Sequence, residues 1–169
     1  HEQAQALAEL YMREYATPQS SADGTDLPTS QQTLATAREA HEVAGYVYHP
    51  QDNFYHRPQA QAFGYEDAGN AEQRLYQIVR NAKDRSVFST EFAAQATDWA
   101  SFYHLTPLRA NLLRPFAERI ANGKTLELGA GCGAVTRFIG ELGGEVVALE
   151  GSANRARIIG HRCADLANV

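Results

Sequence analysis

Alternating glycines between two carboxylates form the part of this sequence best suited to chemistry. Segment 126–133 reads LELGAGCG, with Glu127 in the apolar run that precedes the glycines. The glycines are Gly129, Gly131 and Gly133. They permit a tight strand-to-helix turn and let a ligand approach the backbone without a Cβ in the way. Glu150 ends the next apolar run, where an acid can accept hydrogen bonds from both hydroxyls of a ribose. The pattern predicts a nucleoside site. A glycine-rich turn without a ligand would require neither three alternating glycines nor an acid at the end of the next strand.

A nicotinamide dinucleotide fits the glycine segment only in part. The spacing Gly129-x-Gly131-x-x-Ala134 satisfies the loose dinucleotide pattern, which keeps a nicotinamide-dependent oxidoreductase as an alternative. Glu127 argues against it, because a dinucleotide fold places an apolar residue at that strand position. Burying a carboxylate there is costly unless it meets a partner such as a ligand ammonium group. Gly133 is also surplus to the dinucleotide pattern.

Alternating strand and helix patterns surround the glycines and predict the sheet that positions them. Short connections between such elements are typical of a parallel sheet with right-handed crossovers. We therefore expect an α/β fold, in which a helical, aromatic-rich N-terminal region precedes the first βαβα half of a Rossmann-like sheet. The expected elements are strand 125–128, helix 134–142, strand 145–150, helix 153–166 and the start of a third strand at 168–169.

Three helices are predicted between residue 70 and the glycines. Asn70 caps a helix ending near Lys83, and Ser89 or Thr90 begins another that runs through Trp99. Thr106 caps a third with Pro107 at its first position, and Pro115 should kink or divide it. The predicted buried stripe of this third helix is Leu108, Leu112, Leu113, Phe116 and Ile120.

The N-terminal third of the chain differs in composition from the rest. Residues 2–16 favour a helix, 17–30 form a Pro/Ser/Gly-rich linker, and a second helix should run from Ser30 to about Val43. The aromatic-rich stretch 44–70 is expected to be irregular and to dock its rings on a surface. The predicted divisions are an N-terminal helix and linker over 1–30, an accessory region over 31–105, and a cofactor-binding domain over 106–169.

The glycine segment and its acids resemble motifs of a known enzyme class. Glu-x-Gly-x-Gly-x-Gly, then a helix and a strand-terminal acid, is similar to motifs I and II of class I S-adenosylmethionine-dependent methyltransferases. The resemblance spans roughly 105–169 and implies S-adenosyl-L-methionine as cofactor. It implies that Glu127 contacts the methionine amino group and that Glu150 holds the ribose hydroxyls. The cofactor-binding residues are then Glu127, Gly129, Ala130, Gly131, Gly133 and Glu150.

A narrower resemblance concerns the stretches that flank this motif. YHLTPLRANLLRPF and ALEGSANRARIIGHRCADLANV are similar to methyltransferase regions of large bacterial proteins associated with glycosyltransferases and surface-polysaccharide synthesis. This resemblance implies a glycan hydroxyl as methyl acceptor. A complete class I domain has seven strands, so the chain is expected to be a fragment that is inactive alone. The remainder of a parent chain, or a partner, is expected to cover the sheet edge, and no catalytic residue can be assigned.

Composition excludes several other classes of function. The chain has 169 residues and a formal net charge of -5 without a basic stripe, which argues against nucleic acid as the main partner. No apolar run approaches the roughly 18 residues that span a bilayer. The first ten residues, HEQAQALAEL, lack the basic and apolar regions of a signal peptide, so none is expected in this sequence. Cys132 and Cys163 fit neither a disulfide scaffold nor a zinc pattern, so a reducing cytoplasm is expected.

Isolated side chains elsewhere offer weaker alternatives. His49 and His56 flank an aromatic loop but lack metal-ligand spacing, so no metal site is predicted. His104 could act as a general base, although packing is the preferred interpretation. Cys132 beside a helix N-terminus could be a reactive thiol, and small-residue packing is again preferred. Two arginines, Arg109 and Arg114, could reach an anionic acceptor or simply be solvated. A non-catalytic interaction module of a glycan-assembly protein remains the other alternative to an enzyme.

Overall fold

A computed structural model of the protein describes Glu42, residues 45–59 and residues 70–169. The chain divides into two units, 1–47 and 48–169, and the second contains nearly all of the described residues. Apart from Glu42, the expected helices over 2–16 and 30–43 and the linker between them lie outside the described residues. Part of the aromatic-rich stretch, 60–69, does so as well.

The first described elements form a two-stranded sheet where irregular structure is expected from the sequence. Strand β1 covers Val47–His49 and β2 covers Phe54–His56. Asn53 closes the turn between them in the left-handed region, with φ of 51°. The rings pair across the strands, with centroid distances of 5.1 Å for Tyr48 and Tyr55 and 5.5 Å for His49 and Phe54. The prediction was wrong because these cross-strand aromatic contacts stabilise strands of only three residues.

Three α-helices follow, one more than the sequence predicts before Thr106. Helix α1 covers Ala71–Asn81, α2 covers Thr90–Gln95 and α3 covers Trp99–Leu105. The predicted cap at Ser89 is confirmed, since its side chain accepts from the Phe92 amide, but Asn70 makes no side-chain cap bond. The prediction of a single helix from Ser89 or Thr90 through Trp99 is wrong, because α2 ends at Gln95. A capping box between Asp98 and Ser101 begins a new helix at that point.

The segment after Thr106 is a 3-10 helix over Pro107–Phe116, followed by α4 over Ala117–Ala121. The predicted division at Pro115 is therefore confirmed. The predicted buried stripe is wrong for three of its members, because Leu108, Leu112 and Phe116 are exposed. At three residues per turn, side chains three apart share a face. Ala110 and Leu113 accordingly face the core together, and Leu108 and Leu112 do not share their face. Phe116, at the end of the 3-10 helix, is exposed although it lies three residues after Leu113.

A strand–helix–strand–helix unit completes the described fold. Strand β3 covers Lys124–Leu128 and β4 covers Glu145–Leu149, and they pair in parallel with Lys124 opposite Glu145 and Leu128 opposite Leu149. Helix α5 (Ala134–Glu141) connects them, and α6 (Ala153–Arg162) follows β4. The fold thus mixes helices with small sheets, as an α/β chain is expected to do.

The chain beyond α6 approaches β4 without forming the expected third strand. Within the described residues its backbone makes one contact to β4, in which the Val146 amide donates to the Asn168 carbonyl at 2.8 Å. The Asn168 side-chain amide donates to the carbonyls of Gly140 and Gly144 at 2.9 and 2.7 Å. These bonds hold residue 168 beside β4.

The main core lies where α1 and α6 pack against each other and against α2, α3 and the glycine loop. Ile158 of α6 is fully buried there. The other members are Leu75, Tyr76, Val79, Ala82, Phe92, Leu105 and Cys132. The loop that carries the predicted site therefore rests on a packed hydrophobic base. Among the described residues, no helix is long and apolar enough to cross a membrane.

Candidate functional site

The predicted glycine loop runs from the end of β3 to the start of α5. All three alternating glycines are left-handed, with φ of 72° at Gly129, 61° at Gly131 and 77° at Gly133. An L side chain rarely adopts this conformation, so the sequence needs glycine at each position. The amides of Gly129 and Ala130 both donate to the Leu149 carbonyl, at 2.9 and 3.0 Å. The loop therefore starts at the carboxyl ends of both strands.

Glu150 ties this loop to the end of β4. Its Oε2 accepts from the Gly131 amide at 2.7 Å, and its Oε1 accepts from the Ser152 amide at 2.9 Å. Each carboxylate oxygen keeps a second lone pair, so the side chain can still accept hydrogen bonds from a ligand hydroxyl. The carboxylate therefore positions the loop as well as presenting an acceptor at the sheet edge.

Glu127 lies below the loop and is half-buried. Its Oε2 accepts a hydrogen bond from Oγ1 of Thr136, in α5, at 2.6 Å. Burial raises the pKa of the Glu127 carboxyl above its ordinary value, and the negative charge of Glu150 adds to that effect. The Thr136 hydroxyl and the positive charge of Arg109 oppose the rise. A cation placed beside Glu127 would return its pKa toward normal and would stabilise the ionised form.

Arg109 and His104 line the other side of the loop. A Cβ built on Gly131 would lie 3.5 Å from Nη1 of Arg109 and 3.7 Å from Cε1 of His104. The Arg109 guanidinium also stacks on the Tyr103 ring, 4.5 Å from its centroid. Of the two arginines considered from the sequence, Arg109 belongs to the site. Glu127 is half-buried, and the charge of Arg109 acts on its pKa. A carboxylate and a guanidinium group near one glycine loop suit the ammonium and the carboxylate of an amino-acid ligand.

His104 is buried and packs its ring edge-on against Tyr103, with 5.0 Å between centroids. This placement supports the packing interpretation rather than a general base open to solvent. Arg114 lies over the exposed Phe88 ring at 5.2 Å and is exposed itself. Its surroundings fit the interpretation of a solvated helix face.

Arg162 was not among the predicted site residues, but its side chain holds the glycine loop in place through hydrogen bonds. It is almost fully buried and donates from Nη1 to the His104 carbonyl at 2.7 Å and to the Cys132 carbonyl at 3.3 Å. Its Nη2 donates to the Leu105 carbonyl at 3.3 Å. Burial lowers the pKa of Arg162 to about 10, so it remains charged at neutral pH. One side chain thus links α6, the end of α3 and the glycine loop.

A second buried arginine, Arg137, links α5 to the end of α6. Its Nε donates to Glu141 at 2.7 Å, and its Nη1 donates to the Arg162 carbonyl at 2.8 Å. Nη1 and Nη2 also pair with the two carboxylate oxygens of Asp165. Arginines at these positions are ordinary for a solvated helix, so periodicity alone gave no signal of the network.

The cysteines are structural. Cys132 is fully buried in the main core, which excludes an exposed thiol at the loop and supports small-residue packing. Cys163 is also buried, and burial raises the pKa of its thiol to about 12. Both are free.

Two histidines in the β1–β2 hairpin, the two-stranded sheet described above, lie in a different part of the fold from the glycine loop. His49 and His56 have ring centroids 6.1 Å apart on neighbouring strands. Within the described part of the chain, no group of three or more His, Cys, Asp or Glu side chains is arranged to hold a metal ion.

The structure brings all six residues predicted to bind the cofactor to one edge of the small sheet. The residues Glu127, Gly129, Ala130, Gly131, Gly133 and Glu150 lie in the loop or at the strand ends beside it. Comparison with known families found no matching family model, and comparisons with curated proteins and with solved structures found no match. The functional argument therefore rests on the geometry of this edge.

Proposed function

We propose that this protein binds S-adenosyl-L-methionine at the glycine loop and serves methyl transfer to an acceptor. The observation that carries the proposal is Glu127, a half-buried carboxylate with a raised pKa and one hydroxyl partner, Thr136. A carboxylate in that setting is costly in the free protein. A ligand that brings an ammonium group to it would offset the cost, and the methionine part of this cofactor carries one.

The remaining groups at the edge fit other parts of the same ligand. Left-handed Gly129 leaves room for close approach to the backbone, since no atom lies within 4 Å of a Cβ built on it. Arg109 would hold the methionine carboxylate, and Glu150 would accept from the ribose hydroxyls. This set accounts for the ammonium, carboxylate and ribose, whereas a nicotinamide dinucleotide has no ammonium group for Glu127.

S-adenosylmethionine held by Glu127, Arg109 and Glu150 would supply an electrophilic methyl group on sulfur for transfer to an acceptor. Such a reaction depends mostly on holding donor and acceptor in register. The described residues would bind and orient the donor, and we assign no catalytic residue among them. The acceptor class, a glycan hydroxyl, rests on the sequence resemblance.

Titration calorimetry tests the proposal against the oxidoreductase alternative. The protein is titrated with S-adenosylmethionine, S-adenosylhomocysteine and NAD(H) under the same conditions. We expect saturable binding of the first two and none of the third. Binding of NAD(H) without binding of S-adenosylhomocysteine would overturn the proposal.

A further inference from the structure

A polar pocket of about 430 Å³ lies between the β1–β2 hairpin, α1 and α6. None of the residues that line it belongs to the glycine loop, and it takes no part in the function proposed above. Asp52 is one of its lining residues. The other lining residues are His49, Gln51, Phe54, Tyr76, Arg80 and Arg157. A volume of this size is in the range of small-molecule sites, about 300–1,000 Å³.

Among the described residues that line the pocket, Asp52 is the carboxylate, and it is already engaged by its neighbours. It accepts from the Tyr76 hydroxyl at 2.9 Å and from Nε of Arg157 at 3.0 Å. Nε2 of His161 lies 3.0 Å from Oδ1, and Nδ1 of His49 lies 3.2 Å from Oδ2. The side chain is 7% exposed. Its negative charge is therefore directed at these partners rather than at the pocket.

Two guanidinium groups, those of Arg80 and Arg157, line the pocket together with Asp52. Both lie over the Tyr76 ring, with distances to its centroid of 4.4 Å for Arg157 and 5.8 Å for Arg80. Arg157 donates its Nε to Asp52. Among the residues that the structure describes, no carboxylate lies within ion-pairing distance of Arg80. Two positive charges thus face one engaged negative charge, in a chain whose formal net charge is -5.

We propose that this pocket binds the oxyanion group, a phosphate or a carboxylate, of a small molecule. Guanidinium groups recognise both anions through paired N–H donors. The Phe54 and Tyr76 rings beside them offer an apolar wall for a ring attached to that group. Arg80 is exposed, and its side chain makes no hydrogen bond or ion pair with a described residue, so its removal should disturb the fold little.

Titration calorimetry with inorganic phosphate, acetate and phenyl phosphate at constant ionic strength tests this inference. We expect saturable binding of phosphate or acetate with a Kd on the order of 1 mM, and tighter binding of phenyl phosphate than of phosphate. The preferred anion identifies the oxyanion group. Arg80→Gln should weaken binding at least about tenfold.

The matched control is Arg74→Gln, which removes the same charge from the same helix. Arg74 pairs with Asp98 at 2.7 Å and does not line the pocket, so anion binding should be unchanged. Absence of saturable binding up to about 10 mM of each anion, or equal weakening by both substitutions, would overturn the inference. Arg80→Gln should leave S-adenosylhomocysteine binding intact, so the two proposals can fail separately.

Discussion

The Glu150 carboxylate and the Gly131 amide are joined by a hydrogen bond of 2.7 Å, which connects the end of β4 to the tip of the glycine loop. The other carboxylate oxygen accepts from the Ser152 amide at the start of α6. The side chain therefore fixes the loop before any ligand arrives. In the proposed function, the same carboxylate then meets the ribose.

Glu150→Gln is expected to weaken the loop and the site together. The amide side chain has one acceptor oxygen in place of two, so one of the two backbone donors loses its partner. We expect unfolding free energy to fall by about 1–2 kcal/mol. Affinities for S-adenosylhomocysteine and adenosine should fall together, because both carry the ribose. Denaturant unfolding and calorimetry measure the two effects.

Glu145→Gln is the control for that prediction, because Glu145 is an exposed residue of the same strand that pairs with Lys124. It should change neither affinity. Loss of adenosine binding in both variants would show that a general charge effect, rather than the Glu150 position, is responsible.

Gly131→Ala tests the need for a left-handed residue at the loop tip. Its φ of 61° makes any L side chain unfavourable by about 1–2 kcal/mol. The new methyl group would stand in the space beside Arg109, so S-adenosylhomocysteine affinity should fall as well. Gly143→Ala is the control, since Gly143 has φ of 97° and nothing lies within 4 Å of its Cβ position. It should lose stability but keep affinity; a ligand effect of equal size there would contradict the assignment.

Gly160→Ala should reverse the usual effect of this substitution in a helix. Alanine normally stabilises a helix interior relative to glycine by roughly 0.5–1 kcal/mol. Here a Cβ would lie 2.0 Å from the Asp52 carbonyl oxygen and 2.6 Å from that of Asn53. We expect a loss of about 1–3 kcal/mol and faster hydrogen exchange in the β1–β2 hairpin. Unchanged or increased stability would show that the hairpin does not rest on α6.

Asp52 should make the docking of the hairpin depend on pH. Burial alone would raise the pKa of its carboxyl, but hydrogen bonds from His161, Tyr76 and Arg157 hold it below the ordinary value. A lowered pKa contributes stability above the unfolded-state value of about 3.9, and this is lost as pH falls through the folded-state pKa. Asp52→Asn should therefore be destabilising at pH 7 by about 1–3 kcal/mol, with a difference that shrinks below about pH 4.

Denaturant unfolding at several pH values measures this difference. Glu118→Gln, an exposed position in α4, controls for the change in net charge at pH 7. A difference between Asp52→Asn and the unchanged protein that grows on acidification would contradict the account.

Local signals predicted the βαβα unit and the loop because their causes are local. Left-handed backbone at Gly129, Gly131 and Gly133 requires glycine, and the Ser152 hydroxyl accepts from the Arg155 amide as a helix cap. The strand-terminal position of Glu150 follows from parallel strands ending at one edge. Spacing alone was therefore sufficient to bring these residues together.

Features that depend on distant partners could not be predicted. Nη1 of the buried Arg162 donates to carbonyls 30 and 58 positions away, and Arg155 pairs with Glu72 of α1 at 3.0 Å. Helical periodicity cannot distinguish such arginines from solvated ones. The exposed Leu112 shows the reverse case, because a 3.6-residue period was assumed where the backbone has three residues per turn.

The raised pKa of Glu127 also predicts that this side chain lowers the stability of the ligand-free protein while it contributes to ligand binding. A carboxyl whose folded-state pKa lies above its unfolded-state value destabilises the fold once pH rises through that interval. Glu127→Gln keeps an acceptor for Thr136 and removes the charge. The ligand-free variant should therefore be more stable than the unchanged protein at pH 7, with no difference well below about pH 4.

Calorimetry of Glu127→Gln with S-adenosylhomocysteine and with adenosine tests the central claim most directly. A charge-assisted hydrogen bond contributes roughly 1.5–3 kcal/mol, so affinity for S-adenosylhomocysteine should fall about tenfold to a hundredfold. Adenosine, which lacks the amino-acid part, should bind almost unchanged. Equal losses for both ligands, or no loss for either, would contradict the role of Glu127 as the partner of the methionine ammonium group.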